Sequence, residues 1–132
     1  MRIFTAVAAC AVTVGVLSGC SSGDSSSAYC DAVKDMGTVS TDPGSSSAEM
    51  VSKSRKIAEV APDDIKSDWE TYANSLEQIN KNNASMTSTD LSDPTRGLAD
   101  MRAKSEANAA AAGQLGTSAQ KVTQHMDKTC KK

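Results

Sequence analysis

The stretch IKSDWETYANSLEQI, residues 65–79, carries the clearest structural pattern in the chain. Its large apolar residues recur at spacings of four, three, four and three: Ile65, Trp69, Tyr72, Leu76 and Ile79. Such a seam repeats every 3.5 residues on average, which predicts a helix packed against near-antiparallel neighbours at about 20°. We therefore predict an all-α fold, a small antiparallel up-down-up-down bundle of about four helices.

The residues before this seam also have helical patterns. A first helix is predicted over Ala28–Val39 with Ser27 as its N-cap, and a Pro-Gly turn follows at residues 41–44. A second helix is predicted to begin at the capping box of residues 46–49, in which serine and glutamate satisfy orphan backbone donors. It must end before Pro62, which is well suited to be the first residue of the third helix.

The residues after the seam predict a fourth, long helix. A polar loop is expected after Asn82-Asn83 and up to about Ser92, after which Asp93-Pro94 caps and opens the helix. Gly113 and Gly116 leave open whether this helix is continuous, since an interior glycine costs about 1 kcal/mol relative to alanine. The residues predicted to share its core-facing stripe are Leu98, Met101, Ser105, Ala109, Ala112, Leu115, Ala119, Val122, Met126 and Cys130.

Composition limits the possible partners and the size of the core. The chain has 132 residues, a formal net charge of −2 and one Trp, two Tyr and one Phe. Such a length suits a single domain. Without a clustered basic face or aromatic stacking platforms, a nucleic-acid partner is not expected. Large apolar side chains are sparse after Cys20, so the core is predicted to be thin and in need of a covalent staple.

The N-terminus has the proportions of a secretion signal. Residues 3–17 are uncharged, rich in Ala and Val, and too short to span a bilayer comfortably as a helix of about 20 residues. Leu17-Ser18-Gly19-Cys20 resembles the bacterial lipobox, whose cysteine sulfur is alkylated by a diacylglyceryl group before cleavage. We predict a signal peptide over residues 1–19. The alternative is an ordinary cleaved signal, or an uncleaved anchor, with Cys20 incidental.

The predicted organisation of the mature chain follows from this cleavage. Residues 20–27 form a Ser-rich tether that begins with lipidated Cys20, and residues 28–132 form the helical domain. Two acyl chains anchor a protein stably where one chain alone binds reversibly. The expected location is the cell membrane, with the domain anchored by lipid and facing the extracytoplasmic side.

The exported location determines how the four cysteines are interpreted. Cys10 would leave with the signal and Cys20 would carry lipid, so Cys30 and Cys130 remain as a pair. An even pair in an exported chain predicts a disulfide, and the two ends of an up-down-up-down bundle lie together as that bond requires. The alternative is a redox-active dithiol, for which a Cys-x-x-Cys spacing is usual and absent here.

Catalytic and metal-binding patterns are weak in this sequence. His125 is the only histidine, which excludes a His-based metal cluster within one chain and suggests a solvated residue near a helix C-terminus. No catalytic serine motif or phosphate-binding loop is found, and neither a metal, a cofactor nor enzymatic activity is expected. Trp69 and Tyr72 are interpreted as core residues or, alternatively, as lining a ligand groove.

Several of these features together resemble small exported lipoproteins of high-GC Gram-positive, actinobacterial type. The features are the lipobox, the Ser-rich tether, Tyr29-Cys30 at the first helix, the segment Ala61–Trp69 and the terminal Cys130. The resemblance spans most of the mature chain and implies a membrane-anchored helical domain. It carries over no catalytic residue.

Two functions fit these observations. The first is a non-enzymatic interaction or structural module that binds a protein or another component of the cell envelope through a helical face. The alternative is a binding protein for a small hydrophobic or lipidic ligand, held between the small-residue face of the fourth helix and the seam with Trp69 and Tyr72. A ligand of this kind requires a concave pocket of about 300 to 1,000 Å³.

Overall fold

Helices account for nearly all of the chain that this computed structural model describes, which is residues 24–41, 47–90 and 92–131. The four helices are α1 Asp24–Met36, α2 Ala48–Val60, α3 Asp63–Thr87 and α4 Pro94–Thr129. Helix α3 packs against α2 and α4, and α1 contacts both α2 and α4. The predicted all-α bundle is confirmed, whereas the signal peptide of residues 1–19 lies outside the described residues.

Side-chain pairs between neighbouring helices show that they run antiparallel. Asp68, near the start of α3, accepts from Lys121, near the end of α4, at 2.9 Å. Asn82, near the end of α3, donates to Asn108 in the first half of α4 at 2.9 Å. The chain therefore runs up, down, up and down, as the spacing of the seam predicts.

Helix α1 is shifted toward the N-terminus relative to its predicted range. It begins at Asp24, so Ser27 lies inside the helix and is not its N-cap. The cost of a serine within a helix is less than about 0.7 kcal/mol, and packing of the rest of α1 outweighs it. The helix ends at Met36 because Gly37 has a φ of +84°, a backbone conformation that favours glycine and closes helices.

The predicted capping box at the start of α2 is wrong by one residue. Ser47 is the N-cap and its hydroxyl oxygen accepts from the backbone N–H of Met50 at 3.1 Å, while Ser46 lies outside the described residues. Glu49 does not reach back to the cap, because its carboxylate pairs with Lys53 at 3.0 Å. The helix ends at Val60, before Pro62, as predicted.

Helix α3 begins one residue later and ends one turn later than predicted. Pro62 is the residue before the helix, and its carbonyl accepts the first helical bonds from Ile65 and Lys66. The helix continues past Asn83 to Thr87. Contacts with α4 stabilise this extra turn, since the ammonium of Lys104 donates to the carbonyl of Ser85 at 3.0 Å.

Helix α4 is continuous through Gly113 and Gly116 and is capped by Asp93, which accepts from the N–H of Arg96 at 3.2 Å. Its predicted stripe is buried only in the second half of the helix. Leu98 is 65% exposed and Met101 is 39% exposed. They lack partners because α1 and α2, at 13 residues each, do not reach along the full 36-residue α4.

The core lies between the second half of α4, the seam of α3 and the apolar faces of α1 and α2. All five seam residues are buried, as predicted. The other buried apolar residues of the cluster are Tyr29, Val33, Ile57, Ala58, Ala111, Leu115, Ala119 and Val122. Trp69, Tyr29 and Tyr72 are the largest fully buried side chains, so three aromatic rings make up much of the core.

Candidate functional site

The predicted anchor, Leu17-Ser18-Gly19-Cys20, lies outside the described residues. The first described residue, Asp24, opens α1, so Cys20 precedes this end of the bundle by four residues in the sequence. The ends of α2 and α4 and the start of α3 meet at this same end, which we name the proximal end. Within residues 24–41, 47–90 and 92–131, no helix combines the length and the apolar character that a membrane crossing needs.

A disulfide closes the proximal end. Cys30 in α1 and Cys130 after α4 are bonded, with 5.4 Å between their Cα atoms and a sequence separation of 100 residues. The predicted pair is therefore confirmed. A cross-link over so long a loop restricts the unfolded chain by about 4.7 kcal/mol, according to chain-entropy arithmetic.

Beside the disulfide, the hydroxyl of Tyr29 lies at the centre of a buried hydrogen-bond chain. Tyr29 is fully buried, and its oxygen accepts from the indole Nε1 of Trp69 at 3.2 Å. The Nδ1 atom of His125 lies 3.2 Å from the same oxygen, and the two rings meet edge to face at 5.4 Å. Three helices are joined by these contacts.

Chemistry fixes the donor of one of these bonds. An indole N–H only donates, so Trp69 is the donor to the Tyr29 oxygen, whereas the direction of the Tyr29–His125 bond depends on which ring nitrogen of His125 carries the proton. The other ring nitrogen, Nε2, lies 3.5 Å from Thr129 Oγ1 and 3.6 Å from the carboxylate of Asp64. Trp69, Tyr29 and His125 are therefore joined by hydrogen bonds, and Asp64 faces the far side of the histidine ring.

The chain has the residue order of a carboxylate, a histidine and a hydroxyl, but the hydroxyl is inaccessible. Burial raises the pKa of Tyr29, the bond from Trp69 lowers it, and the Asp64 carboxylate adds to the rise. The phenol is therefore held in its protonated form. With no exposed surface, its oxygen is also out of reach of a substrate in this conformation.

His125 is thus not the solvated residue that its place near a helix end suggests. Its side chain is only 17% exposed because it packs against Tyr29. A signal for this contact was available in the sequence. The Cys30–Cys130 bond brings Tyr29 close to the last turns of α4, where His125 lies.

Trp69 and Tyr72 are core residues, the first of the two interpretations that the sequence permits. Both are fully buried and pack edge to face at 5.8 Å. The Tyr72 hydroxyl donates to the carbonyl of Ser40 at 3.0 Å and accepts from its N–H at 3.1 Å. Neither residue lines any of five surface grooves of about 180 to 410 Å³ between the described residues.

The opposite, distal end is a two-helix projection, formed by the end of α3 and the first half of α4. It is held by polar contacts, in which Asn108 bridges Asn82 and Asn83 at 2.9 and 2.8 Å. Lys104 pairs with Asp100 at 2.6 Å and also donates to the hydroxyl of Thr89 at 3.3 Å. The exposed Leu98 and Met101 belong to this projection.

The acidic residues of early α3 do not form a metal site. Asp68 pairs with Lys121, and Asp64 faces His125. Among the described residues, no group of three or more His, Cys, Asp or Glu side chains is placed to hold a metal ion.

Comparison of the chain with known protein families, with curated proteins and with solved structures finds no match.

Proposed function

We propose that this protein is an extracytoplasmic lipoprotein, anchored through Cys20, whose helical bundle is a non-enzymatic interaction module of the cell envelope. The observation that carries the proposal is the difference between the two ends of the bundle. The proximal end, which follows Cys20, is closed by a disulfide and exposes Val60 at 37%, whereas the distal projection exposes Leu98 at 65% and Met101 at 39% on one helix.

The geometry of the helices supports an outward-facing projection. With 36 residues, α4 is about 54 Å long, whereas the 13 residues of α1 extend for only about 20 Å. The free part of α4 is therefore well separated from the residue at which a lipid anchor would enter. A protein anchored in this way holds Leu98 and Met101 away from the membrane.

The exposed residues support a contact with another macromolecule. Single exposed apolar residues are common on protein surfaces. Leu98 and Met101 are three positions apart on one helix, however, and therefore lie on the same face. They also continue the stripe that is buried in the second half of α4. A partner that covers them would extend the packing of the bundle.

Cell fractionation tests the anchor. Wild-type protein is expected in the membrane fraction, and a Cys20→Ala variant is expected to lose lipid-dependent processing. Ser21→Ala is the matched control, since it changes a neighbouring residue but leaves the sulfur. Normal processing and unchanged membrane retention of Cys20→Ala would overturn the anchoring proposal.

Site-specific photo-crosslinking in intact cells tests the interaction module. A photoreactive phenylalanine analogue at Leu98 or Met101 is expected to give the same discrete adduct, and one at Thr123, exposed near the proximal end, is not. Leu98→Asp should abolish the Met101 adduct without changing the melting temperature, because Leu98 makes little contact with the core. Equal adducts from all three positions, or none from the distal positions, would contradict the proposal.

A further inference from the structure

The first half of helix α4 carries an uncharged face that no other helix covers. Leu98, Met101, Ser105 and Ala109 are exposed, and Ala112 is half-buried. These five residues follow one another at spacings of three or four, so they lie along one side of the helix. At 1.5 Å per residue, this side extends for about 21 Å. We name these five residues the distal stripe.

The distal stripe is divided into a bulky half and a small half. Leu98 and Met101 form its beginning, whereas Ala109 and Ala112 form its end. A second α4 helix laid antiparallel across Ser105 places the bulky half of each helix on the small half of the other. Two facing helices pack closely when large residues lie opposite small ones. A parallel pair would bring the bulky residues together and leave a gap between the alanines.

The charges beside the distal stripe are also self-complementary. Arg102 and Glu106 border it on one side, and their side chains are 83% and 71% exposed although they pair with each other at 3.2 Å. An antiparallel two-fold contact about Ser105 lays this border against the same border of the second helix, so that Arg102 of each copy lies opposite Glu106 of the other. The face therefore supplies both a charge pattern and its complement, as a surface that binds its own copy does.

We propose that the partner covering the distal stripe is a second copy of this chain, paired antiparallel about a two-fold axis at Ser105. The inference rests on the interaction module proposed above and names its partner. A contact of about 21 Å between two helices is smaller than a standard interface. Pairing therefore depends on the high effective concentration of copies that share one membrane. The proximal ends of the two bundles point away from each other, so a pair lies along the membrane surface, whereas a single bundle projects from it.

Cysteine crosslinking of the full-length protein in native membranes tests the inference. Cys20 carries lipid in the proposed protein and Cys30 is bonded to Cys130, so one introduced cysteine is the only free thiol of the mature chain. Oxidation of Ser105→Cys with diamide is expected to give a disulfide-linked product of twice the mass, because the two copies meet at this residue. Thr123→Cys is the matched control. It is also exposed on α4 but lies about 54 Å from its counterpart in the pair, so no product is expected.

Charge reversal shows whether the contact joins two copies. In chains that carry Ser105→Cys, Arg102→Glu leaves two acidic residues at the border and Glu106→Arg leaves two basic ones. Each variant alone is expected to give about threefold to tenfold less product, since two ion pairs of the symmetric contact are reversed. When the two variants are made in one cell with different affinity tags, an acidic border lies opposite a basic one. A product with both tags is then expected at the original yield. Loss of the pair within each chain does not explain this recovery, because both chains lack it.

Three results would overturn the inference. One is the absence of a Ser105→Cys product while photo-crosslinks from Leu98 and Met101 form with a different protein, in which case the interaction module stands with another partner. The second is an equal product from Thr123→Cys, which would indicate a parallel pair or random collisions. The third is a mixture of the two charge variants that gives no recovery. Absence of the product and of every photo-crosslink would overturn the interaction module together with the inference.

Discussion

At the residue scale, two buried tyrosines connect polar groups from different helices. Tyr29 links Trp69 of α3 with His125 of α4, and Tyr72 holds Ser40 in the segment after α1. A thin core gains specificity from such bonds, because each hydroxyl has a partner only when the helices are in register. Because both phenols are buried, the fold favours their protonated form.

Stability is therefore expected to fall in alkaline solution. Burial raises the pKa of both Tyr29 and Tyr72 above the ordinary value of 10.0. In this case the folded state binds protons more tightly than the unfolded state. The stabilisation is fully present below about pH 10 and is lost as the pH rises through the folded-state values.

Melting temperatures measured from about pH 8 to pH 12 check this prediction, with tyrosinate absorbance as a second readout. Tyr29→Phe and Tyr72→Phe should each reduce the alkaline slope, since each removes one titrating group. A wild-type melting temperature that stays constant up to pH 12 would show that neither phenol is protected in the fold.

The burial of the seam could be predicted from spacing alone, whereas the contact of His125 with Tyr29 follows only from the pairing of Cys30 with Cys130. Ile65, Trp69 and Leu76 occur at helical intervals, and local periodicity is enough to assign them to the core. The His125–Tyr29 contact joins residues 96 positions apart.

At the scale of the element, helix ends were predicted less accurately than helix interiors. The φ of Gly37 ends α1 at Met36, and inter-helical contacts of Lys104 extend α3 to Thr87. Both effects act on one or two backbone groups at a terminus. The pattern of apolar residues contains no information about these terminal effects. Pro62 and Asp93-Pro94, in contrast, predicted the starts of α3 and α4 to within one residue.

Helix α4 can be stabilised at its glycines. A Cβ atom added at Gly113 or Gly116 meets nothing within 4 Å, and neither residue has a positive φ. Gly113→Ala and Gly116→Ala are each expected to raise the free energy of unfolding by about 1 kcal/mol. Urea unfolding followed by circular dichroism measures the change.

Gly37→Ala is the matched control for these substitutions. It also meets open space, but its φ of +84° is strained for alanine, so this variant should be destabilised. Destabilisation by Gly113→Ala or Gly116→Ala would indicate that α4 is not a straight, continuous helix at these positions.

At the scale of the whole molecule, the disulfide joins the first helix to the end of the last. The α1–α4 pair has the least extensive packing of the main helix pairs, so the covalent bond replaces contacts that side chains do not supply. Whole domains are stable by only about 5 to 15 kcal/mol. A single disulfide can therefore contribute a large share of the free energy of unfolding.

Loss of the disulfide is expected to lower the melting temperature strongly. Cys30→Ser and Cys130→Ser should each reduce the free energy of unfolding by about 3–5 kcal/mol, from the loop of 100 residues that the bond closes. The double variant should match the single variants, because either change removes the same bond. Unchanged melting of both single variants would show that the bond does not stabilise the bundle.

The overall architecture followed from the sequence because each helix has its own local pattern and the cysteine pair fixes how the ends meet. The two-helix projection at the distal end could not be predicted from the sequence. The stripe from Leu98 to Cys130 is continuous in sequence, and only the lengths of α1 and α2 decide how much of it is covered. That length mismatch is the basis for assigning the distal end to a partner.

The mass of the intact protein extracted from membranes tests the central claim most directly, because one spectrum reports cleavage, acylation and the disulfide together. We predict a chain that begins at Cys20, carries a diacylglyceryl group, and gains the mass of a hydrogen pair when Cys30–Cys130 is reduced. A chain that still begins at Met1, or one without lipid on Cys20, would contradict the account.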